Sequence, residues 1–256
     1  MYYSTHIGPK WIAIGVLIGI AAAISSIWSA KRTRKRQGEL FELATRLGLD
    51  FNPGENPVLP IEFGFIDQLN RGDNRTAFNV LSGTLNGRNV VAFDYHYETH
   101  STDGKGNRST THHYFSVAVM RLEAEFPKLT IAHENLLLKI AEVFGYQNIQ
   151  FESAEFSKTF CVRSPDKKFA YDVCNAQMIE YLLANRDIHL AIEVHALALL
   201  SDAQLPAVQI EPNLQRLLEI RSRMPDYLFQ KTRDEPCTDC HSDCRSGSPD
   251  LGHRAI

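Results

Sequence analysis

Residues Trp11–Ala30, WIAIGVLIGIAAAISSIWSA, form a run of 20 without one charged side chain. As an α-helix such a run spans about 30 Å, the thickness of a bilayer's hydrocarbon core. Trp11 and Trp28 stand near its two ends, where amphipathic rings settle at headgroup level. A cleavable signal needs its positive charge ahead of the apolar run and small residues at the cut. Here the charge follows the run and Trp28 occupies a position that should be small. The sequence therefore predicts an uncleaved single-pass anchor over residues 11–30, behind a short extracytoplasmic N-terminus, residues 1–10. Gly15, Gly19 and Ala23 recur every fourth residue. That stripe would let two such helices pack closely as a homodimer, although small residues are common in membrane spans in any case.

Charge sets the orientation. Lys31, Arg32, Arg34, Lys35 and Arg36 follow the run, whereas Lys10 alone precedes it. The positive-inside bias places residues 31–256 in the cytoplasm at the inner membrane, with residues 31–36 as a basic juxtamembrane stretch. Residues 1–36 carry six basic and no acidic side chains; the rest of the chain holds 21 basic against 30 acidic. A domain of that sign repels nucleic acid, so lipid contact through the helix and a protein partner are the expected associations.

The segment 37–230 reads as one soluble α+β domain with a mainly antiparallel sheet and interleaved helices. Leu40, Ala44 and Leu47 share a helical face that Gly48 closes. Two alternating stretches, Arg75–Leu85 and Arg88–Glu98, meet at Asn86-Gly87, a strong two-residue hairpin signal. Leu85 then faces Arg88, and an unbroken register opposes Val80 to Phe93, Phe78 to Tyr95 and Asn79 to Asp94. A polar loop over Thr99–Thr111 leads to a strand at His113–Leu122, with Phe115, Val117 and Val119 on one face, and to a short strand at Leu129–Ala132. A helix is expected over Asn135–Phe144 and a strand over Phe160–Arg163. Ser164-Pro165-Asp166 opens a helix with serine as cap. Another helix runs from Asn175 to about Ala184, two strands cover Ile188–Val194 and Leu197–Leu200, and a last helix opens at Pro212. Residues 231–256 form a polar, cysteine-containing tail.

The strings Asn79-Val-Leu-Ser-Gly-Thr and Val91-Ala-Phe-Asp-Tyr-His-Tyr97, with Phe151-Glu-Ser-Ala-Glu-Phe-Ser-Lys-Thr-Phe-Cys-Val162 and Asp166, resemble an uncharacterised bacterial family. Its members carry a domain of unknown function behind one or two membrane helices. The resemblance covers residues 37–228 and implies a topology without a mechanism.

Among local motifs, Cys237-Thr-Asp-Cys240-His241-Ser-Asp-Cys244 with His253 beyond is the sharpest. Cys237, Cys240, Cys244 and His253 have the spacing of a zinc set; the blander reading, preferred here, is an unliganded tail without a cofactor. Cys237–His241 also matches a haem-attachment string, whose chemistry needs the other side of the membrane. Cys161 and Cys174 read as buried free thiols. By strand alternation His96, His100 and His112 share the polar face of the hairpin with Asp94, and solvated imidazoles are the ordinary outcome of such a pattern. Glu152, Glu155 and Asp166 flank helix starts, where carboxylates favour the dipole. The chain has no phosphate-binding glycine loop, nucleophile elbow or metalloprotease helix motif. By elimination the sequence suggests a membrane-tethered module that binds a protein partner or itself, with a hydrolase-like enzyme of dispersed site as the alternative.

Overall fold

The computed structural model describes residues 9–133 and 148–230, with the side chains of thirteen positions between 9 and 29 left aside. The expected helix over Asn135–Phe144 and the tail with Cys237, Cys240, Cys244 and His253 lie outside the described residues.

Helix α1 (Pro9–Leu47) is continuous from the apolar run through the basic stretch into the domain. Its 39 residues span about 58 Å. Leu40, Leu43 and Ala44 are buried, and Gly48 ends the helix at φ +68, the left-handed conformation a helix stop favours. Among the residues searched, no helix is long and apolar enough to cross a membrane. Most side chains of residues 9–22 are not among those described.

The sheet is α+β in character and antiparallel throughout. It comprises β1 (Asp50–Asn52), β2 (Asp73–Leu85), β3 (Arg88–Thr102), β4 (Arg108–His133), β5 (Phe160–Arg163) and β6 (Leu190–Leu200). The order is β1-β2-β3-β4-β5, with β6 also on β4. Residues 117–120 of β4 pair with both β3 and β6, and residues 130–131 with both β5 and β6. Thus β3 and β5 share one edge of the long strand and β6 takes the other.

Each face of the sheet carries a core. The odd-numbered face of β3 and β4, with Phe93, Tyr95, Phe115, Val117 and Val119, lies under the segment containing α2 (Leu59–Glu62) and a 3-10 turn at Asp67–Asn70. The even-numbered face, with Val90, Ala92, Ala118 and Met120, packs with α1, α3 (Ala154–Thr159), α4 (Lys167–Val173), α5 (Ala176–Ala184) and α6 (Ala207–Arg223). A short α7 (Tyr227–Gln230) follows.

The hairpin turn forms as expected, with Asn86 at φ +49 and Gly87 at φ +77. Its register departs from the unbroken one. Leu85↔Arg88 through Leu81↔Ala92 hold, then a bulge shifts the ladder so that Phe78 opposes Asp94 and Ala77 opposes Tyr95. Asn79, at φ +52, is in that bulge. Other expectations are corrected in the same way. The polar loop is mostly ladder, because β3 runs to Thr102 and β4 resumes at Arg108. The two strands expected between His113 and Ala132 are one strand of 26 residues. The pair expected between Ile188 and Leu200 is one strand, bent where Val194 sits at φ +53. Asp166, not Ser164, caps α4 by accepting from the Phe169 N–H, and α6 begins at Ala207, with Pro212 inside it.

Glycine positions differ in what they tolerate. A Cβ at Gly72 (φ +60) would fall 2.2 Å from the Glu98 carbonyl oxygen, whereas one at Gly87 meets nothing within 4 Å. Gly87→Ala should therefore cost only the backbone term, about 1 kcal/mol, and Gly72→Ala distinctly more. Equilibrium unfolding of the two variants checks this; equal losses would contradict the packing at Gly72.

Candidate functional site

The even-numbered face of β3 carries a graded series of side chains where α1 crosses it. Asp94, 2% exposed, receives five hydrogen bonds. Arg36 donates from Nε to Oδ2 at 2.9 Å and from Nη2 to Oδ1 at 2.7 Å, the bidentate fork to which guanidinium is suited. Asn79 Nδ2 and Gln204 Nε2 each donate to Oδ2 at 2.8 Å, and Ser116 Oγ donates to Oδ1 at 2.8 Å.

The network then spreads outward. Arg36 Nη1 donates to the Leu205 carbonyl, and the Leu205 N–H donates to Ser116 Oγ at 2.9 Å. Ser201 Oγ accepts from the Ser116 N–H at 2.9 Å. Four parts of the chain therefore converge on one carboxylate: α1, the β2 bulge, the β3–β4 ladder and the connection from β6 to α6. With five donors in place, Asp94 is held as a structural anion and is not poised as a general base. Lys31, Arg32, Arg34 and Lys35 are exposed along α1. Arg36, grouped with them as a juxtamembrane cation in the sequence, instead has its guanidinium committed to the sheet.

Beyond Asp94 the same face carries His96, Glu98 and His100, with Tyr114, His112 and Thr110 beside them on β4. His96 Nε2 lies 3.1 Å from His112 Nδ1, and that same Nδ1 lies 3.4 Å from Glu98 Oε1. Asn74 Nδ2 donates to Glu98 Oε2 at 2.7 Å. His96, Glu98 and His112 offer ligand atoms all within 4.8 Å of one another. His100 stands apart from this trio. Its Nδ1 contacts Thr110 Oγ1 at 3.0 Å, and its Nε2 is 3.8 Å from Asp73.

The remaining sequence candidates have structural partners. Glu155 pairs with Arg186, and Asp166 is the cap of α4. Cys161 and Cys174 are buried and unbridged, and burial pushes the Cys174 thiol up to about 12. Gly19, Ala23 and Trp28 are exposed along α1, and the side chains of Trp11 and Gly15 are not described. The sequence gave no signal for His189, whose imidazole is 3% exposed. Its Nδ1 has no hydrogen-bond partner, and neither has Gln68 Oε1; both residues line a cavity of about 20 Å³. Burial, seconded by the charge of Arg71, pushes His189 down from 6.5 to about 4.

No family model matches the chain, and no curated protein matches it. Among solved structures, the crystal structure of the mycobacterial trehalose monomycolate transport factor A, TtfA, is similar at a TM-score of 0.50 and 12% identity. The match covers 75% of this chain and 96% of that one. At that identity the likeness is one of fold.

Two outcomes follow. Asp94→Asn keeps the shape but strands the Arg36 guanidinium. It should cost about 3 kcal/mol, and the double variant with Arg36→Met should recover part of that loss; thermal and urea unfolding measure both. For His189 the folded state resists a proton that the unfolded chain accepts below about 6.5, so stability is full above that pH. It declines as pH falls toward 4, by on the order of 3 kcal/mol. His189→Leu should flatten that limb of a stability-versus-pH curve.

Proposed function

We propose that this chain is a single-pass protein of the inner membrane. On this reading its cytoplasmic α+β domain is a binding module for a membrane-associated protein partner, and not an enzyme. The observation that carries the reading is the Arg36–Asp94 pair inside an unbroken helix, which ties the charge-free run mechanically to the sheet. Leu17, Ile20, Ile27 and Trp28 are exposed on that helix, apolar surface that a bilayer would cover. Lys31, Arg32, Arg34 and Lys35 lie just beyond, suited to anionic headgroups.

Orientation adds support. Leu49, just past the end of α1, lies against Gly83, which pairs with Val90, while Arg36 meets Asp94. The helix therefore runs against the direction of β3. Upstream of Arg36 it departs the way β3 continues toward Thr102, so anchor and β3–β4 ribbon leave the body from the same end.

The partner surface in this reading is the groove beside α2, about 340 Å³ in volume. Phe63, Val80 and Val91 are among its lining, and the Arg121–Glu62 ion pair stands at its edge. Val58 and Ile61, 61% and 82% exposed, add an unpartnered apolar pair on the same short helix. A large open groove elsewhere, between α5 and α6, gathers Tyr181, Glu219, Ser222 and Arg223, yet these are spent on one another. Arg223 pairs with Glu219 and covers the Tyr181 ring, and Ser222 donates to the Glu219 carbonyl. The similar mycobacterial structure is titled a transport factor, which fits a non-enzymatic role for the shared fold.

A photocrosslinking residue at Ile61 in native membranes should give one discrete adduct that Val58→Arg abolishes without changing the melting temperature. The chain should resist carbonate extraction, and a reporter active only outside the cytoplasm should stay silent when fused after residue 230. Release by carbonate would remove the anchor, and an active reporter would reverse the topology.

A further inference from the structure

We infer that His96, Glu98 and His112 form a binding site for a divalent metal ion of the zinc class at the base of the β3–β4 ribbon. The argument begins with register. His96 and Glu98 are two residues apart on β3 and share a face, and Glu98 stands directly opposite His112 on β4. Three donors are thereby presented on one patch of backbone ladder, a more rigid support than a loop.

The distances favour convergence on one point over a chain of hydrogen bonds. His112 Nδ1 approaches both His96 Nε2, at 3.1 Å, and Glu98 Oε1, at 3.4 Å. A single N–H on that nitrogen can serve only one of the two partners. A metal ion can serve all three. With ligand bonds of about 2.0–2.1 Å, the edges of a tetrahedral coordination shell are about 3.3–3.4 Å, close to both observed separations. Two imidazoles and a carboxylate are a hard-to-borderline set suited to zinc and its neighbours, and they leave a fourth position for water.

The carboxylate is also braced from behind. Asn74 donates from Nδ2 to Glu98 Oε2 at 2.7 Å, leaving Oε1 toward the imidazoles. Asn74 sits at φ +50 beside a register shift in β2, a backbone state that asparagine tolerates better than most residues. The Tyr114 ring, 4.6 Å from that of His96, packs against it from the next position on β4. Second-shell groups of this kind hold ligands in the orientation a metal requires. Glu98 is only 16% exposed and His112 is 53% exposed, so the site is anchored on the sheet and open on one side.

The test uses the full chain in detergent, stripped with chelator, with Cys237, Cys240 and Cys244 replaced by serine so that tail thiols cannot contribute. Titration with zinc, followed by elemental analysis, should show one equivalent per chain. Cobalt substitution should give the ligand-field spectrum of a nitrogen and oxygen set without thiolate charge transfer. His112→Ala should abolish stoichiometric binding. Asn74→Gly, which keeps the left-handed backbone, should weaken it about 10–100-fold, and His100→Ala should leave it unchanged. All of these positions are on or beside the exposed ribbon, so circular dichroism should stay that of the parent. Failure of the cysteine-free chain to bind zinc, or binding that survives His96→Ala with His112→Ala, would overturn the site.

Discussion

The Arg36–Asp94 pair is the constraint on which the arrangement of this molecule rests. A carboxylate taken out of water loses hydration that no single neighbour replaces. Here the replacement is complete only when α1, the bulged strand β2, Ser116 of β4 and the Gln204–Leu205 connection are all in place. Compared with a well-packed apolar pair, such a charge pair adds little net stability. Its effect is on specificity, because every packing that separates the helix from the sheet leaves a charge buried and alone. The same geometry explains the bulge. An unbroken ladder would set Asn79 directly opposite Asp94; the extra residue lets Asn79 Nδ2 reach Oδ2 at 2.8 Å while Val80 joins the opposite core.

How much of this could be read from the chain depended on whether a local signal determined the outcome. Asn86-Gly87 specifies its turn through backbone conformation alone, so the hairpin was legible, as were the cap at Asn175 and the burial of Cys161 and Cys174. The bulge at Asn79 answers to a charge on another element, and period-two alternation carries no trace of it. The strands of β4 merge for a related reason. Arg121, Glu123 and Glu125 read as a polar break, yet on the odd-numbered face they stay at least partly open while Leu122 and Ala124 bury on the other. Arg36 was the most deceptive residue. Inside a basic run its type fits a headgroup cation, and only tertiary structure assigns it to Asp94.

The candidate site was half visible. Strand alternation does put His96, His100 and His112 on one face, and the β3–β4 register confirms that face. Alternation alone could not separate His100, drawn toward Thr110 and Asp73, from the two imidazoles that meet. Nor could it add Glu98, whose orientation depends on Asn74 across a second register shift. His189 had no signal because a buried neutral histidine and a surface one are the same letter.

Burial along the even-numbered face of β3 explains why polar chemistry gathers where it does. Val90 and Ala92 belong to the apolar core, and Asp94 is buried but fully partnered. His96 and Glu98 are half-buried, and His100 is exposed. In about 33 Å of strand the environment passes from hydrocarbon through an ion pair to solvent. An imidazole placed earlier in the series would be desolvated, as His189 is, and would lose its proton affinity to burial. One placed later has no scaffold to hold it against a second donor. The positions of His96 and Glu98 are the interval where side chains are both oriented by the ladder and reachable from water. The rigid junction at Arg36 is what keeps the anchor helix in register with that interval.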